Sequence, residues 1–600
     1  MREAVSPSLI DADPAMSIPG LLRERLRRSP HSTIIERKSG LGSSWIPMTV
    51  AEFADQVTAV AKGLVALGIE PGDRVSIMSR TRYEWTLLDF AVWAAGAVPV
   101  PVYETSSVDQ VRWICSDSGV VLAIVETAAH AAVTEVARET LPDLRDVLVI
   151  DQGAIDHLTE AGRKIADDEI ERRSSLAGMS DLATVIYTSG TTGNPKGAEL
   201  THGNFVSLAL EGTAGLPEVV GPGKRTLLFM PLGHVFARYI QVLCIPSGTV
   251  LGHSPDTKNL LPDLQSFKPT FLLAVPRVFE KVYNSAEQKA AASPAKLKIF
   301  RWAAKTSIVY SRALDTPEGP SAALKAQHKA ADALVLKKLR AALGGAATIA
   351  ISGGAPLGER LGHFYHGLGL LVLEGYGLTE TTAPTAVNMP TRSKIGTVGP
   401  PFPGASFRIA DDGEIEVAGA HVFRGYRNNP QATAAALTDG WFRTGDIGTL
   451  DEDGYLTITG RKKEIIVTAG GKNVAPALLE DRLRGHPLVS QVVAVGDGQP
   501  FIAALVTLDA EMLPGWLASH GLPPMDVATA ARSNAVLAAL DRAVERTNEA
   551  VSRAESIRKI KVLTTDFTEA NEYLTPSLKV KRARVLRDFA AEVAELYSTN

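Results

Sequence analysis

From Thr49 onward the apolar residues of this chain fall into a regular order. Val50 to Leu67 repeats them at helical spacing, Glu70-Pro-Gly-Asp makes a turn, and Arg74 to Ser79 is a short apolar strand. Tyr83–Ala95 and Val98–Tyr103 repeat the helix and the strand, and further strands follow near Val120–Val125 and Val147–Ile150. Alternation of this kind predicts a parallel α/β sheet. Four later apolar runs, Thr226–Met230, Thr270–Ala274, Ala347–Ile351 and Leu370–Leu373, each end in a distinctive loop: Met230 to Arg238, Val275 to Lys281, Ser352 to Pro356 and Glu374 to Glu380. Any one of these could be a plain β–α turn, but four at strand ends favour one shared ligand crevice.

The two ends of the chain read differently. Residues 1 to about 48 look irregular apart from one basic helix, Leu21–Arg28. After Gly399 short strands take over, with a hairpin at Ser406–Val417 around Asp-Gly and another edge at Asp453–Thr459. A new unit begins at Gly460: a strand (Glu464–Val467), a helix (Pro476–Gly485), strands Val489–Val495 and Phe501–Asp509, helices to about Glu555, and a charged tail. The expectation is a large unit, 1–459, and a small one, 460–600, with the boundary at Thr459 to Lys463.

Six hundred residues exceed what one core usually holds, and 45% hydrophobic content suffices for two. A net charge of −4 gives no general attraction to nucleic acid, so no nucleic-acid partner is expected. Cys115 and Cys244 lie in apolar runs and read as buried thiols. With no apolar signal core at the start and no long unbroken apolar run, the reading is a soluble cytoplasmic protein. One local imbalance stands out. A helical insertion at about 281–340 carries twelve Lys or Arg against four Asp or Glu, which is either a solvated face or a surface for anionic lipid at the inner membrane or for coenzyme phosphates.

The candidate chemistry centres on Thr184 to Gly197. A short strand, Leu182 to Tyr187, runs into a hydroxyl- and glycine-rich loop, with glycines at 190, 193 and 197 and a compact positive charge at Lys196. Such a loop lets backbone N–H groups approach an anion closely, so it reads as a phosphate cradle at a carboxyl strand end. A surface turn would have a similar composition. The Gly-x4-Gly-Lys-[Ser/Thr] spacing is not met, because Pro195 stands at its second glycine, and no Gly-x-Gly-x-x-Gly occurs.

The run Tyr187-Thr-Ser-Gly-Thr-Thr-Gly-Asn-Pro-Lys-Gly197 resembles the signature loop of the adenylate-forming enzymes, which include acyl-CoA synthetases, luciferases and the adenylation domains of peptide synthetases. The resemblance implies an α/β fold with a small β-barrel-like part in the large domain and a small, mobile α+β domain after it. It also implies ATP, Mg²⁺ and CoA as the small molecules used. By resemblance, Thr188, Ser189, Gly190, Thr191, Thr192, Gly193 and Lys196 would take the β- and γ-phosphates, and Thr379 would touch the α-phosphate. Glu380 would hold Mg²⁺ as one carboxylate among waters and phosphate oxygens, though an acid there also suits a helix N-terminus. Gly354, Ala355, Pro356, Glu374, Tyr376 and Gly377 would flank adenine. Trp441-Phe-Arg-Thr-Gly-Asp446 and Gly460-Arg461 are similar to the ribose-contacting motifs, with Asp446 accepting from the ribose hydroxyls and Arg461 supporting it.

Near the end, Leu574-Thr-Pro-Ser-Leu-Lys579-Val-Lys581 is similar to the family's catalytic-lysine segment. Many members carry Gly where this chain has Leu578, which leaves Lys579 and Lys581 as competing candidates, with Lys579 preferred. Val275 to Lys281 with the insertion after it, and Val467-Thr-Ala-Gly-Gly-Lys-Asn-Val-Ala-Pro476, resemble the long-chain fatty acyl-CoA synthetases. A long-chain fatty acid is then the expected substrate, with His234, Val235, Phe236, Val275 and Gly353 lining an acyl tunnel and Gly470 and Gly471 lining the thiol's path. An ordinary core would show the same apolar run. Lys463 stands at the family's hinge position, in a basic run where a merely solvated lysine would also fit. An acyl-AMP ligase serving a carrier protein and a non-catalytic binding relative are the rival readings.

Overall fold

A computed structural model describes residues 2–39, 44–188, 194–575 and 578–598. Three sheets of the expected parallel kind form the body of the molecule. Val98–Val102, Arg74–Met78, Val120–Val125 and Asp146–Val149 lie side by side in that order, all parallel. Arg225–Leu228, Val250–His253 and Thr33–Lys38 make a second parallel set, with Trp45–Thr49 antiparallel at its edge. In the third, Phe271–Ala274, Ile349–Ser352 and Leu371–Tyr376 run parallel and Ala386–Val387 closes the edge in the opposite sense. The helix Val50–Ala66 starts where its sequence says it should: Thr49 and Glu52 form a reciprocal capping box, with Glu52 N–H donating to Thr49 Oγ1 at 3.2 Å.

The strand Leu182–Thr188 departs from expectation. It pairs antiparallel with Lys196–Thr201 in a hairpin that Gly425–Tyr426 extends, so the hydroxyl- and glycine-rich segment joins two antiparallel strands and not a strand to a helix. Thr188 sits at the hairpin's last pair, opposite Lys196. Residues 189–193, the center of the expected phosphate cradle, lie outside the described residues.

The N-terminal segment is more ordered than its sequence suggested. Besides the helix Ile18–Arg28, it supplies the strand Thr33–Lys38 and a three-residue strand, Glu3–Val5, that opens an antiparallel sheet with Ala405–Ile409, Glu414–Gly419 and Trp441–Leu450. That sheet is the β part expected after Gly399. It ends on Leu456–Arg461, so Gly460 and Arg461 are still strand residues of the large unit's sheet.

Beyond the short 3-10 turn Lys462–Glu464 a separate core begins, built from residues such as Leu479, Val492, Val506 and Leu540. Val489–Val495 runs antiparallel to Ile502–Leu508. The stretch read as a charged tail is structured: Ile557–Leu563 adds a parallel strand to this sheet, and helices Arg582–Asp588 and Ala590–Tyr597 follow. The insertion is helical, as expected, from Pro276–Ala291 through Pro294–Leu314 and Ala322–Ala331. Its longest helix packs on Glu359–Leu368, where Ser307 Oγ donates to Phe364 O at 2.9 Å. A Cβ on Gly367 would fall 2.1 Å from the Ser307 carbonyl oxygen, so only glycine allows that approach. None of the helices among the described residues is long and apolar enough to cross a membrane.

Candidate active site

Asp446, Arg461, Glu380 and Lys579, all named from the sequence, gather where the two units meet. Asp446, on Trp441–Leu450, is buried and faces Arg461 across the sheet, with Arg461 Nε donating to its Oδ1 at 2.8 Å. The Tyr376 hydroxyl donates to Oδ2 of the same carboxylate at 2.7 Å. Tyr376, expected beside adenine, therefore braces the aspartate from the other side. Arg461 Nη2 also donates to Oδ2 at 3.5 Å, so the guanidinium spans both carboxylate oxygens. Burial and the neighbouring Asp446 push the Tyr376 phenol up, so it stays a donor.

Lys579 brings the small unit to this cluster. Its ammonium feels Arg461, Asp446, Glu380 and Glu464, and burial, reinforced by Arg461, lowers its pKa. The residue keeps solvent contact although protein surrounds its ammonium. The Lys581 N–H donates to Tyr573 O at 2.8 Å at the start of the helix Arg582–Asp588. Leu578 sits at φ 62°, the left-handed region in which a Cβ is disfavoured. That conformation explains in physical terms why glycine suits this position.

Glu380 lies in the 3-10 turn Thr379–Thr381, behind strand Leu371–Tyr376. The backbone there is tight. Thr382 and Ala383 have φ of 56° and 103°, and a Cβ on Gly377 would fall 1.5 Å from the Ala383 carbonyl oxygen. Glu380 Oε1 accepts from the Tyr426 hydroxyl at 2.8 Å, and the Lys196 ammonium lies 4.8 Å from the center of the Tyr426 ring. Tyr426 thus links the expected metal carboxylate to the expected phosphate lysine. Sequence reading missed it, because it stands on a two-residue strand far along the chain from both.

Among the described residues no group of three or more His, Cys, Asp or Glu gathers as a metal cage, and Glu380 is a single carboxylate whose Oε1 accepts from Tyr426. That donor set fits Mg²⁺, which takes one or two carboxylates and completes its shell with phosphate oxygens and water.

His234 caps the helix Val235–Ser247 through its Nδ1, which accepts from Phe236 N–H at 3.2 Å. Burial, and then the Lys579 charge, push its pKa down to about 4, so it is neutral. Phe236, Gly353, Gly354 and Val275 meet at one wall: Cβ positions on Gly353 and Gly354 lie 3.4 Å from Phe236 and 3.9 Å from Val275. Val235, the next residue along from His234, is buried. Ala355 and Pro356 are exposed, and Glu374 is buried behind them, its carboxylate accepting from Leu357 N–H at 2.9 Å. Burial pushes Glu374 up to about 7.

Arg238, at the end of the His234 loop, turns inward. It pairs with buried Asp89 and donates to Thr184 Oγ1 at 2.6 Å, tying this helix to the strand that leads into the phosphate loop. Gly470 and Gly471 are exposed at the tip of a small hairpin whose polar contacts, among the described residues, all stay in the small unit, as with Lys472–Glu555. Lys463 is exposed, whereas its neighbour Lys462 is fixed by Asp412 at 2.6 Å and Glu414 at 3.0 Å.

A body of parallel α/β sheets, a smaller C-terminal unit and a lysine reaching from one to the other are the arrangement of an adenylate-forming enzyme. Residues 22–427 match the family of AMP-binding enzymes and residues 463–600 match the AMP-binding enzyme C-terminal domain; the chain belongs to that family. It is 50% identical, over 100% of both chains, to the long-chain-fatty-acid–CoA ligase FadD15 of Mycobacterium tuberculosis. Among solved structures it resembles the anthranilate CoA ligase AuaEII in complex with anthranoyl-AMP, with a TM-score of 0.72 at 19% identity over 98% of this chain and 99% of that one. A Mycobacterium tuberculosis fatty acyl CoA synthetase gives 0.62 at 24% identity over 97% and 100%. These two likenesses speak to fold alone.

Proposed function

We propose that this chain joins long-chain fatty acids to CoA at the expense of ATP, through an acyl-AMP intermediate, releasing pyrophosphate and AMP. The observation that carries the reading is the convergence of Lys579, Arg461–Asp446 and the Lys196–Tyr426–Glu380 group on one crevice. A carboxylate is a poor electrophile, so it must first acquire a good leaving group. The protein's part is to hold the acid and the α-phosphate in line and to stabilise the charge that develops between them.

In this reading Asp446, braced by Arg461 and Tyr376, accepts from the ribose hydroxyls, while Gly354, Ala355, Pro356 and Gly377 form the open wall beside adenine. Lys196 and Thr188, with residues 189–193, take the β- and γ-phosphates, and Thr379 takes the α-phosphate. Glu380 holds Mg²⁺, whose charge offsets that of the phosphates. Lys579 bridges carboxylate and α-phosphate as they meet. His234, Phe236, Val275 and Gly353 border the acyl chain.

The thiol step needs a second arrangement. Gly470 and Gly471 must then reach the carbon that Lys579 faces here, so the small domain rotates about Lys463, with the boundary at Thr459 to Lys463 and Lys462 clamped on the large-domain side. The exposed face of helix Pro294–Leu314, with Lys298, Lys305 and Arg312 at seven-residue spacing beside Trp302 and Val309, meets anionic lipid. Liposome binding unchanged by Lys298→Glu with Lys305→Glu would refute that contact. The ligase reading is tested by pyrophosphate release with a panel of fatty acids, with and without CoA. Release without any acyl-CoA product would favour an acyl-AMP ligase, and no release would favour a binding protein.

A further inference from the structure

The first helix of the insertion, Pro276–Ala291, is clamped to the large domain and offers one stripe to the small one. Phe279 and Tyr283 are buried, and the Tyr365 hydroxyl donates to Phe279 O at 2.7 Å, which fixes the helix on the body. Its N-cap residue, Val275, belongs to the wall beside Gly354.

Positions 277, 281 and 288, which share a helix face, all meet the segment 509–515. Arg277 Nη2 lies 3.1 Å from Asp509 Oδ2, with both side chains largely buried, and Lys281 Nζ lies 3.1 Å from Glu511. Gln288 lies flat over Gly515 in the helix Leu513–Ser519: a Cβ built on Gly515 would fall 2.6 Å from Gln288 Cγ. Asp509 is pre-shaped for this contact. Its Oδ1 accepts from Glu511 N–H at 3.0 Å and Met512 N–H at 3.1 Å, which folds its own loop and leaves Oδ2 to face Arg277.

We propose that this stripe is the docking surface that holds the small domain in the orientation presenting Lys579, and that Arg277 is a positioning residue for the adenylation step alone. The proposal rests on the ligase reading and its two domain orientations. A rotation that withdraws Lys579 and brings in the Gly470-Gly471 hairpin must separate segment 509–515 from a helix fixed to the large domain. Contacts made in one orientation only stabilise that orientation and its half-reaction. Since the same first turn carries Val275, the wall around the bound substrate and the grip on the small domain are one rigid piece.

A reversible cross-link tests this directly. The Gln288→Cys/Gly515→Cys pair places two Cβ atoms within disulfide range, and the native Cys115 and Cys244 are both buried. Oxidised in the presence of ATP and fatty acid, this variant should form acyl-AMP and pyrophosphate once per chain and yield no acyl-CoA; reductant should restore acyl-CoA. Alongside it, Arg277→Gln should lower acyl-AMP formation about tenfold while leaving conversion of supplied acyl-AMP to acyl-CoA unchanged. The latch is overturned if the cross-link does not form, if the oxidised chain makes acyl-CoA at the reduced rate, or if Arg277→Gln slows both steps equally. No acyl-CoA from the parent chain under the same conditions would sink the ligase reading and the latch with it.

Discussion

Tyr426→Phe is the most revealing single change. It removes one hydroxyl and keeps the ring under Lys196. The lost bond, 2.8 Å to Glu380 Oε1, is a hydrogen bond to a charged group, a kind worth about 1.5–3 kcal/mol. Both residues are only half-buried, so water replaces part of it and the lower end applies. A loss near 1.5 kcal/mol is about tenfold in rate or in apparent Mg²⁺ affinity. The assay is pyrophosphate release across a magnesium titration. Tyr426→Phe should raise the half-saturating Mg²⁺ concentration or lower the rate about tenfold, while thermal unfolding stays near that of the parent. Tyr426→Ala should cost more, because the cation–π contact with Lys196 is lost as well. On a Glu380→Gln background the extra effect of Tyr426→Phe should shrink, since the two residues act as a unit. An unchanged magnesium titration in Tyr426→Phe, or full additivity with Glu380→Gln, would refute the idea that the tyrosine orients the carboxylate.

Three further predictions follow from the domain arrangement. Lys463→Pro fixes φ near −65° and should spare acyl-AMP formation while transfer to CoA collapses; acyl-CoA production at the parent rate would show that Lys463 is no hinge. Leu578→Gly should retain adenylation and unfold within about 1 kcal/mol of the parent, whereas Leu578→Val, disfavoured in the left-handed region, should lose about 1 kcal/mol or more in thermal melts and adenylate more slowly. Asp481 is pushed up from 3.8 to about 6 by burial, with Glu480 and Glu280 adding to the rise and Arg484 opposing it. Because Glu280 is on the insertion helix, the docked orientation holds that proton more tightly: its contribution is fully present below the ordinary value and is lost as pH rises through about 6. The ratio of adenylation to thioester formation should therefore fall as pH rises from about 5 to about 7, by at most about tenfold per pH unit, and be flat over that range in Asp481→Asn. An identical slope in the two proteins would remove Asp481 from the account.

The body of the fold was legible because its strands are continuous apolar runs bounded by turns. Val120–Val125, for instance, carries the same bounds in sequence and structure. Asp446 and Arg461 were legible as motif residues, and they meet across two antiparallel strands. What escaped was chiefly pairing at long range. Lys196–Thr201 has Lys, Gly and Glu among its six residues and carries little strand signal, so the hairpin partner of Leu182–Thr188 was hidden. Glu3–Val5 is a strand only because Ser406–Arg408 offers it an edge. Ile557–Leu563 reads as charged because Arg558, Lys559 and Lys561 interrupt its apolar residues, which an edge strand tolerates while Ile557 and Leu563 stay buried. Tyr426 reached the site through a fold-wide contact that no local period encodes.

The central claim is that Lys579 acts on the first half-reaction and not the second. Lys579→Ala, given fatty acid and ATP, should release pyrophosphate at least about 100-fold more slowly than the parent, since a transition-state contact of this kind is worth on the order of 3 kcal/mol. Given acyl-AMP and CoA, the same variant should make acyl-CoA at the parent rate. Equal loss in both reactions, or normal pyrophosphate release, would contradict the account.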